Sequence, residues 1–136
     1  MSSALERLKD LTAEPADARE FNALKSSGAA RLKDAKNQQN SLDGRFDLAY
    51  NAAHALCLAA LRYHGFRAKH RYVVFQVLPH TLGLGPDVWR VFDKCHKLRN
   101  QSEYEGVQNM DERLVADLVA ACSKVVAKLE ALPPVP

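Results

Sequence analysis

The sequence predicts an all-α protein: one domain over residues 1–136, built as an up-and-down bundle of four to five helices. Three observations carry this. Apolar residues recur at helical spacing through several long stretches, the connectors between those stretches are brief, and only one short run has the composition of a strand.

Leu5, Leu8 and Leu11 mark a short first helical piece that stops near Pro15. From Asp17 to about Asn40, Phe21, Leu24, Gly28, Leu32 and Ala35 draw one apolar or small stripe between lysines and arginines, so 1–40 is read as N-terminal helices. Ser41 is placed to cap the next helix, whose core series is Leu42, Phe46, Ala49, Tyr50, Ala53, Leu56, Cys57, Ala60 and Leu61. Leu48, Ala52, Ala55, Leu58 and Ala59 broaden that stripe, which makes 42–64 the most buried helix, and Gly65 follows where a left-handed cap is wanted. Tyr72–Leu78 is rich in β-branched and aromatic residues, but a lone strand has nothing to pair with. It is therefore read as a short buried helix ended by Pro79. Pro86 opens a further helix with Val88, Val91, Phe92, Cys95 and Leu98 on one face. Asn109 and Glu112 form a capping pair for the last helix, which runs from Leu114 to Leu132.

The 136 residues are 47% apolar and 26% charged, enough for one core without disulfides or metals. No run approaches the ~18 apolar residues of a membrane span, and the start, Met1 to Arg7, interleaves acid and base with no apolar signal core. A cytoplasmic location is the expectation, with no membrane partner. Nineteen basic against sixteen acidic residues give +3, which permits a nucleic-acid partner without demanding one. Cys57, Cys95 and Cys122 stand apart with no paired spacing and read as buried reduced thiols. No Gly-rich phosphate loop and no zinc spacing occurs in the sequence, so no cofactor or metal is expected.

Two places break the apolar pattern. On the central helix Asp47, Asn51 and His54 fall at i, i+4 and i+7, a polar line that is either an internally bonded structural strip or the wall of a functional groove. On the later helix, one further step of the core series brings in Arg99 and then Ser102. His96, Asn100 and Tyr104 share one row beside it. An arginine on the core side needs an anionic or carbonyl partner. Arg99 is thus either half of a buried ion pair or, with Asn100, Tyr104 and His96, part of a site that binds phosphate and supports proton transfer.

The run from Leu48 to Leu56, the segment Leu61-Arg62-Tyr63-His64-Gly65-Phe66-Arg67 and the later Leu98-Arg99-Asn100-Gln101-Ser102-Glu103-Tyr104 resemble the HEPN domains (higher eukaryotes and prokaryotes nucleotide-binding). The resemblance covers about 42–130. It implies an up-and-down helical bundle, often a homodimer, whose catalytic members are metal-independent ribonucleases. Their motif is an Arg, commonly followed by Asn, Asp or His, with a His four to six positions beyond the Arg. Arg99 and Asn100 match its start, but the residue five beyond Arg99 is Tyr104, and no His follows Asn100. A phenol with a pKa near ~10 is a poor base at neutral pH. The resemblance therefore implies a non-catalytic nucleotide- or RNA-binding module. Its ligand groove would comprise Arg99, Asn100 and Tyr104, with Asn51, His54 and Asp47, and Arg99 would reach Asn51 or His54. A toxin–antitoxin setting and a separate nucleotidyltransferase-type partner are further implications. The alternative is a ribonuclease with a degenerate Arg-Asn-x3-Tyr motif, for which Arg99, Tyr104 and His96 are the catalytic candidates.

Overall fold

A computed structural model describes residues 8–105 and 111–136, with the side chains of 102–105 outside the description. Among the described residues the chain forms six helices and two short strands. In order these are β1 (Leu11–Ala13), α1 (Ala18–Ala35), α2 (Leu42–Tyr63), β2 (Phe66–Ala68), α3 (Val73–Gln76), α4 (Leu78–Thr81), α5 (Pro86–Glu105) and α6 (Glu112–Glu130). The all-α bundle class is as expected.

The helix ends follow local chemistry. The Asp17 carboxylate accepts from the backbone N–H groups of Arg19 and Glu20 at the start of α1, and Ser41 Oγ accepts from Gly44 N at the start of α2. Gly65, at φ +86°, turns the chain out of α2. Pro86 opens α5 as expected. The cap of α6 is Asp111, whose carboxylate accepts from Leu114 N at 2.7 Å. This corrects the Asn109–Glu112 pairing, of which Asn109 lies outside the described residues.

Thirteen of the 22 residues of α2 are buried, and every other long helix packs against it. Its alanines let α1 come close: a Cβ added at Gly28 would stand 2.6 and 2.7 Å from Leu56 Cγ and Cδ2 and 3.3 Å from the Ala52 carbonyl oxygen. α6, which touches both α2 and α1, contributes Leu114, Val115, Leu118, Cys122, Val125 and Leu129 to the core. Aromatic rings continue it toward α3 and α5, with Tyr50–Phe75 centroids 5.9 Å apart and Phe75–Phe92 5.3 Å apart. All three cysteines are buried and unbridged, and burial pushes each thiol up, that of Cys95 to about 12.

Two expectations about the flanks are corrected. Leu11 is not in a helix: β1 pairs antiparallel with β2, Leu11 opposite Ala68 and Ala13 opposite Phe66. Three-residue strands are marginal alone, and Arg62 anchors this pair. Its side chain, 1% exposed, donates to Glu20 Oε1 at 2.6 Å and to the carbonyls of Glu14, Pro15 and Phe66 at 2.9, 2.7 and 3.2 Å. Arg67 on β2 adds bonds to Glu14 and Glu20, and those guanidiniums hold both carboxyls below the ordinary carboxylate range. The second correction concerns Pro79, which does not end the buried helical segment. The break falls at Val77, and Pro79 sits in the first turn of α4, where no backbone N–H is needed.

Candidate functional site

The polar residues singled out on α2 and α5 come together where the 69–72 segment and α3 pass over both helices. At the centre is His96 on α5. Its Nδ1 is 2.8 Å from the Tyr50 hydroxyl, and its Nε2 is 3.2 Å from Asn100 Nδ2. The imidazole stacks on the Tyr72 ring at 4.7 Å and 27°, and it faces Tyr50 and Phe75 at 6.3 Å each. With both nitrogens hydrogen-bonded and three rings around it, the imidazole has a fixed orientation. Tyr72 in turn donates its hydroxyl to Asp93, which holds the Asp93 carboxyl below its usual range and pushes the phenol up.

Arg99 stands one residue away from His96's row. Its guanidinium lies 4.8 Å from the Tyr50 ring centroid and 3.7 Å from Asp47 Oδ1. The Arg99 side chain is 23% exposed, and Asp47 is 56% exposed. Arg99 thus sits at the rim of the core, not within it. The buried arginine ion pair weighed for this position exists elsewhere, at Arg62 and Glu20.

Arg99 reaches the α2 polar line, as the sequence predicts, but at Asp47 and not at Asn51 or His54, the members favoured for the contact. Asn51 is engaged by Arg71, whose Nη2 donates to its side-chain oxygen at 3.2 Å, while its own amide donates to the Asp47 carbonyl at 2.9 Å. His54 packs edge-on against Phe75 at 6.4 Å. The structure therefore brings Asp47, His96, Arg99 and Asn100 together around Tyr50 and leaves His54 outside that cluster. The side chain of Tyr104 lies outside the described residues. Three participants escaped the sequence reading: Tyr50, Tyr72 and Arg71. Tyr50 was placed in the core on its spacing, and its buried hydroxyl, which needs a partner, was the available signal. For Arg71 and Tyr72, on a connector, no periodicity pointed inward.

Burial, then the nearby Arg71 charge, push the His54 pKa down to about 4 from an ordinary 6.5. The unfolded chain therefore binds more protons than the folded one between those values. The associated stability is fully present above about pH 6.5 and is lost as pH falls toward about 4, a loss of about 1–2 kcal/mol allowing for partial solvent access. Denaturant midpoints at neutral pH and at about pH 4.5 are expected to converge for His54→Phe more than for the wild type, because the variant lacks this contribution.

Among the described residues no helix is long and apolar enough to cross a membrane. Compared with protein-family models, curated proteins and solved structures, the chain matches none. The HEPN resemblance rests on the residues of 48–67 and 98–104 alone.

Proposed function

We propose that this protein is a HEPN-like, non-catalytic module that binds a nucleotide or RNA through a phosphate in the groove of Arg99, Asn100 and His96. The observation that carries the reading is the setting of Arg99. Its Nη1 lies 3.7 Å from Oδ1 of Asp47, an exposed carboxylate, and an exposed pair of that kind is worth about 0–1 kcal/mol to folding. Its guanidinium lies over Tyr50 with Nη1 buried and the side chain 23% exposed, and the neighbouring Asn100 amide bonds an oriented imidazole. The planar donor fork of a guanidinium suits phosphate oxygens. Asp47 then serves to position the guanidinium. Asn51 orders the same wall through Arg71, and Tyr104 belongs to the groove on the sequence row it shares with Asn100.

The test is Arg99→Ala. The variant is expected to change stability by less than about 1 kcal/mol and to weaken nucleotide or RNA binding by at least about tenfold, read by thermal melting and fluorescence anisotropy. A large loss of stability with unchanged binding would overturn the proposal. As part of the same reading the chain works as a homodimer, in a toxin–antitoxin or nucleotidyltransferase-associated system with the nucleotidyltransferase as a separate protein. Sedimentation equilibrium showing only the 15.1 kDa species at tens of micromolar would remove the dimer.

One observation favours a second reading, a metal-independent ribonuclease. His96 stands beside Arg99 with its ring fixed between Tyr50 and Asn100, so an imidazole is available where the motif His is missing. RNA cleavage in the presence of EDTA, abolished by His96→Ala, would establish it in place of the binding module.

A further inference from the structure

A recess of about 320 Å3 opens between α2, β2 and the chain entering α3. Leu58, Ala68 and Val74 form its apolar wall, and His54, Arg67, His70 and Arg71 its polar one. No carboxylate lines it. Its two guanidiniums are differently committed. Arg67 is held by Glu14 and Glu20 at 2.7 and 2.8 Å. Among the described residues Arg71 meets no carboxylate. It donates to the neutral Asn51 side chain and lies 5.8 Å from the Tyr50 centroid. Beside it, His54 bonds no protein group through its ring nitrogens among the described residues. A fixed cation without a counter-charge and an imidazole without a partner thus share one concave, carboxylate-free surface.

We infer that this recess binds a terminal phosphomonoester, with Arg71 supplying the fixed charge and His54 a second donor that takes up a proton from solvent as the dianion arrives. At neutral pH the imidazole donates as a neutral N–H, and the bound dianion raises the pH at which it gains its proton. A recess also suits an end group better than a diester, whose chain must both enter and leave. The groups facing His54 are Arg71, from the connector, with Arg67 on β2 and His70 around the recess. Glu14 and Glu20 lie behind Arg67, and Asp10 is 4.0 Å from His70. On α2 itself Asn51 is the nearest polar neighbour one turn away, and Asp47 is turned to Arg99. Burial and the Arg71 charge hold the His54 imidazole down, and an anion between the two reverses the second cause and offsets the first. The recess adjoins the Arg99 cluster, since both guanidiniums lie over the Tyr50 ring, but its own donors are Arg71 and His54 and it is tested without Arg99.

Sulfate is the first probe, because it stays a dianion throughout the titration range of histidine. With NMR observation of the His54 ring, saturating sulfate is expected to raise its pKa by at least about one unit. Affinity should rise correspondingly as pH falls from about 6 toward about 4, the interval between the bound and free values. Arg71→Gln, an exposed substitution, is expected to abolish the shift, and His54→Phe to remove the pH dependence while weak binding persists. Arg99→Ala should leave the His54 response unchanged, so the two assignments fail separately. A nucleoside 5′-monophosphate and a short RNA bearing a 5′-phosphate distinguish the sources of the monoester, and either one moving His54 supports the site. A hydroxyl-ended RNA moving it equally would overturn the monoester assignment. A His54 resonance unmoved by sulfate, or moved equally in Arg71→Gln, would overturn the site itself.

Discussion

Arg62→Met is expected to destabilise the protein by about 3–5 kcal/mol, a large share of the ~5–15 kcal/mol that holds a domain together. The substitution keeps most of the side-chain volume and removes every donor. Three backbone carbonyls, those of Glu14, Pro15 and Phe66, lose their partner at once, and Glu20 loses its 2.6 Å bond. Unsatisfied buried acceptors cost about 1–3 kcal/mol each where water cannot reach them. The β1–β2 pair should fray first from its Ala13–Phe66 end, where the three carbonyls lie. Arg67→Gln supplies the contrast. Arg67 shares the same two carboxylates but is 38% exposed, so its loss is expected to cost less than about 1 kcal/mol. Urea unfolding of the two variants checks both numbers. Equal losses would show that the network acts through surface charge and not through the buried donors. Arg62→Lys should rescue only part of the loss, since a point charge cannot reach four acceptors lying in different directions.

Gly28→Val is expected to cost about 3 kcal/mol, at the upper end of the usual range for overpacking. Any Cβ there lies within 2.7 Å of the Leu56 side chain, and Leu56 is itself fully buried, so it has little room to yield. Valine adds two methyls beyond that Cβ and brings a helix propensity too close to that of glycine to compensate. The helices α1 and α2 must then separate, which loosens the face from Ala52 to Ala60. A melting temperature within a few degrees of the wild type would mean that α1 can shift along α2 at little cost. Gly28→Val combined with Leu56→Ala should recover part of the loss, because the two sites share one space.

Much of the architecture was legible in the residues. A helix apolar on nearly every side has to be central, and α2 is. Ser41, Gly65 and Pro86 act within one helical turn of where they stand, so local chemistry was enough to place both ends of α2 and the start of α5, whereas the stripe read to about Asn40 stops at Ala35 in α1. Tyr72–Leu78 could be kept from being a strand by asking what it would pair with. The same question failed for Leu11–Ala13 and Phe66–Ala68, whose ladder has no alternating pattern and is clasped by Arg62 at its Ala13–Phe66 end.

At the site, the row formed by His96 and Asn100 followed from the helical period, and so did the polar line Asp47, Asn51 and His54. Their partners did not follow. A period ranks residues around one helix axis and says nothing of the angle at which a second helix crosses. That angle set Arg99 against Asp47 and Tyr50, and it left His54 to a separate recess with Arg71. Of the arginines that could be buried, 62 and 99 both fell on or beside an apolar stripe. Only packing decided that carbonyls from a distant loop would surround the first, while the second would lie at a rim, 23% exposed, over the Tyr50 ring and beside Asp47. The sequence by itself determined which segments are helical and which helix is central, because those depend on neighbours within a few turns. The tertiary structure alone decided which charge is structural and which faces a groove, because that depends on groups brought together from far along the chain.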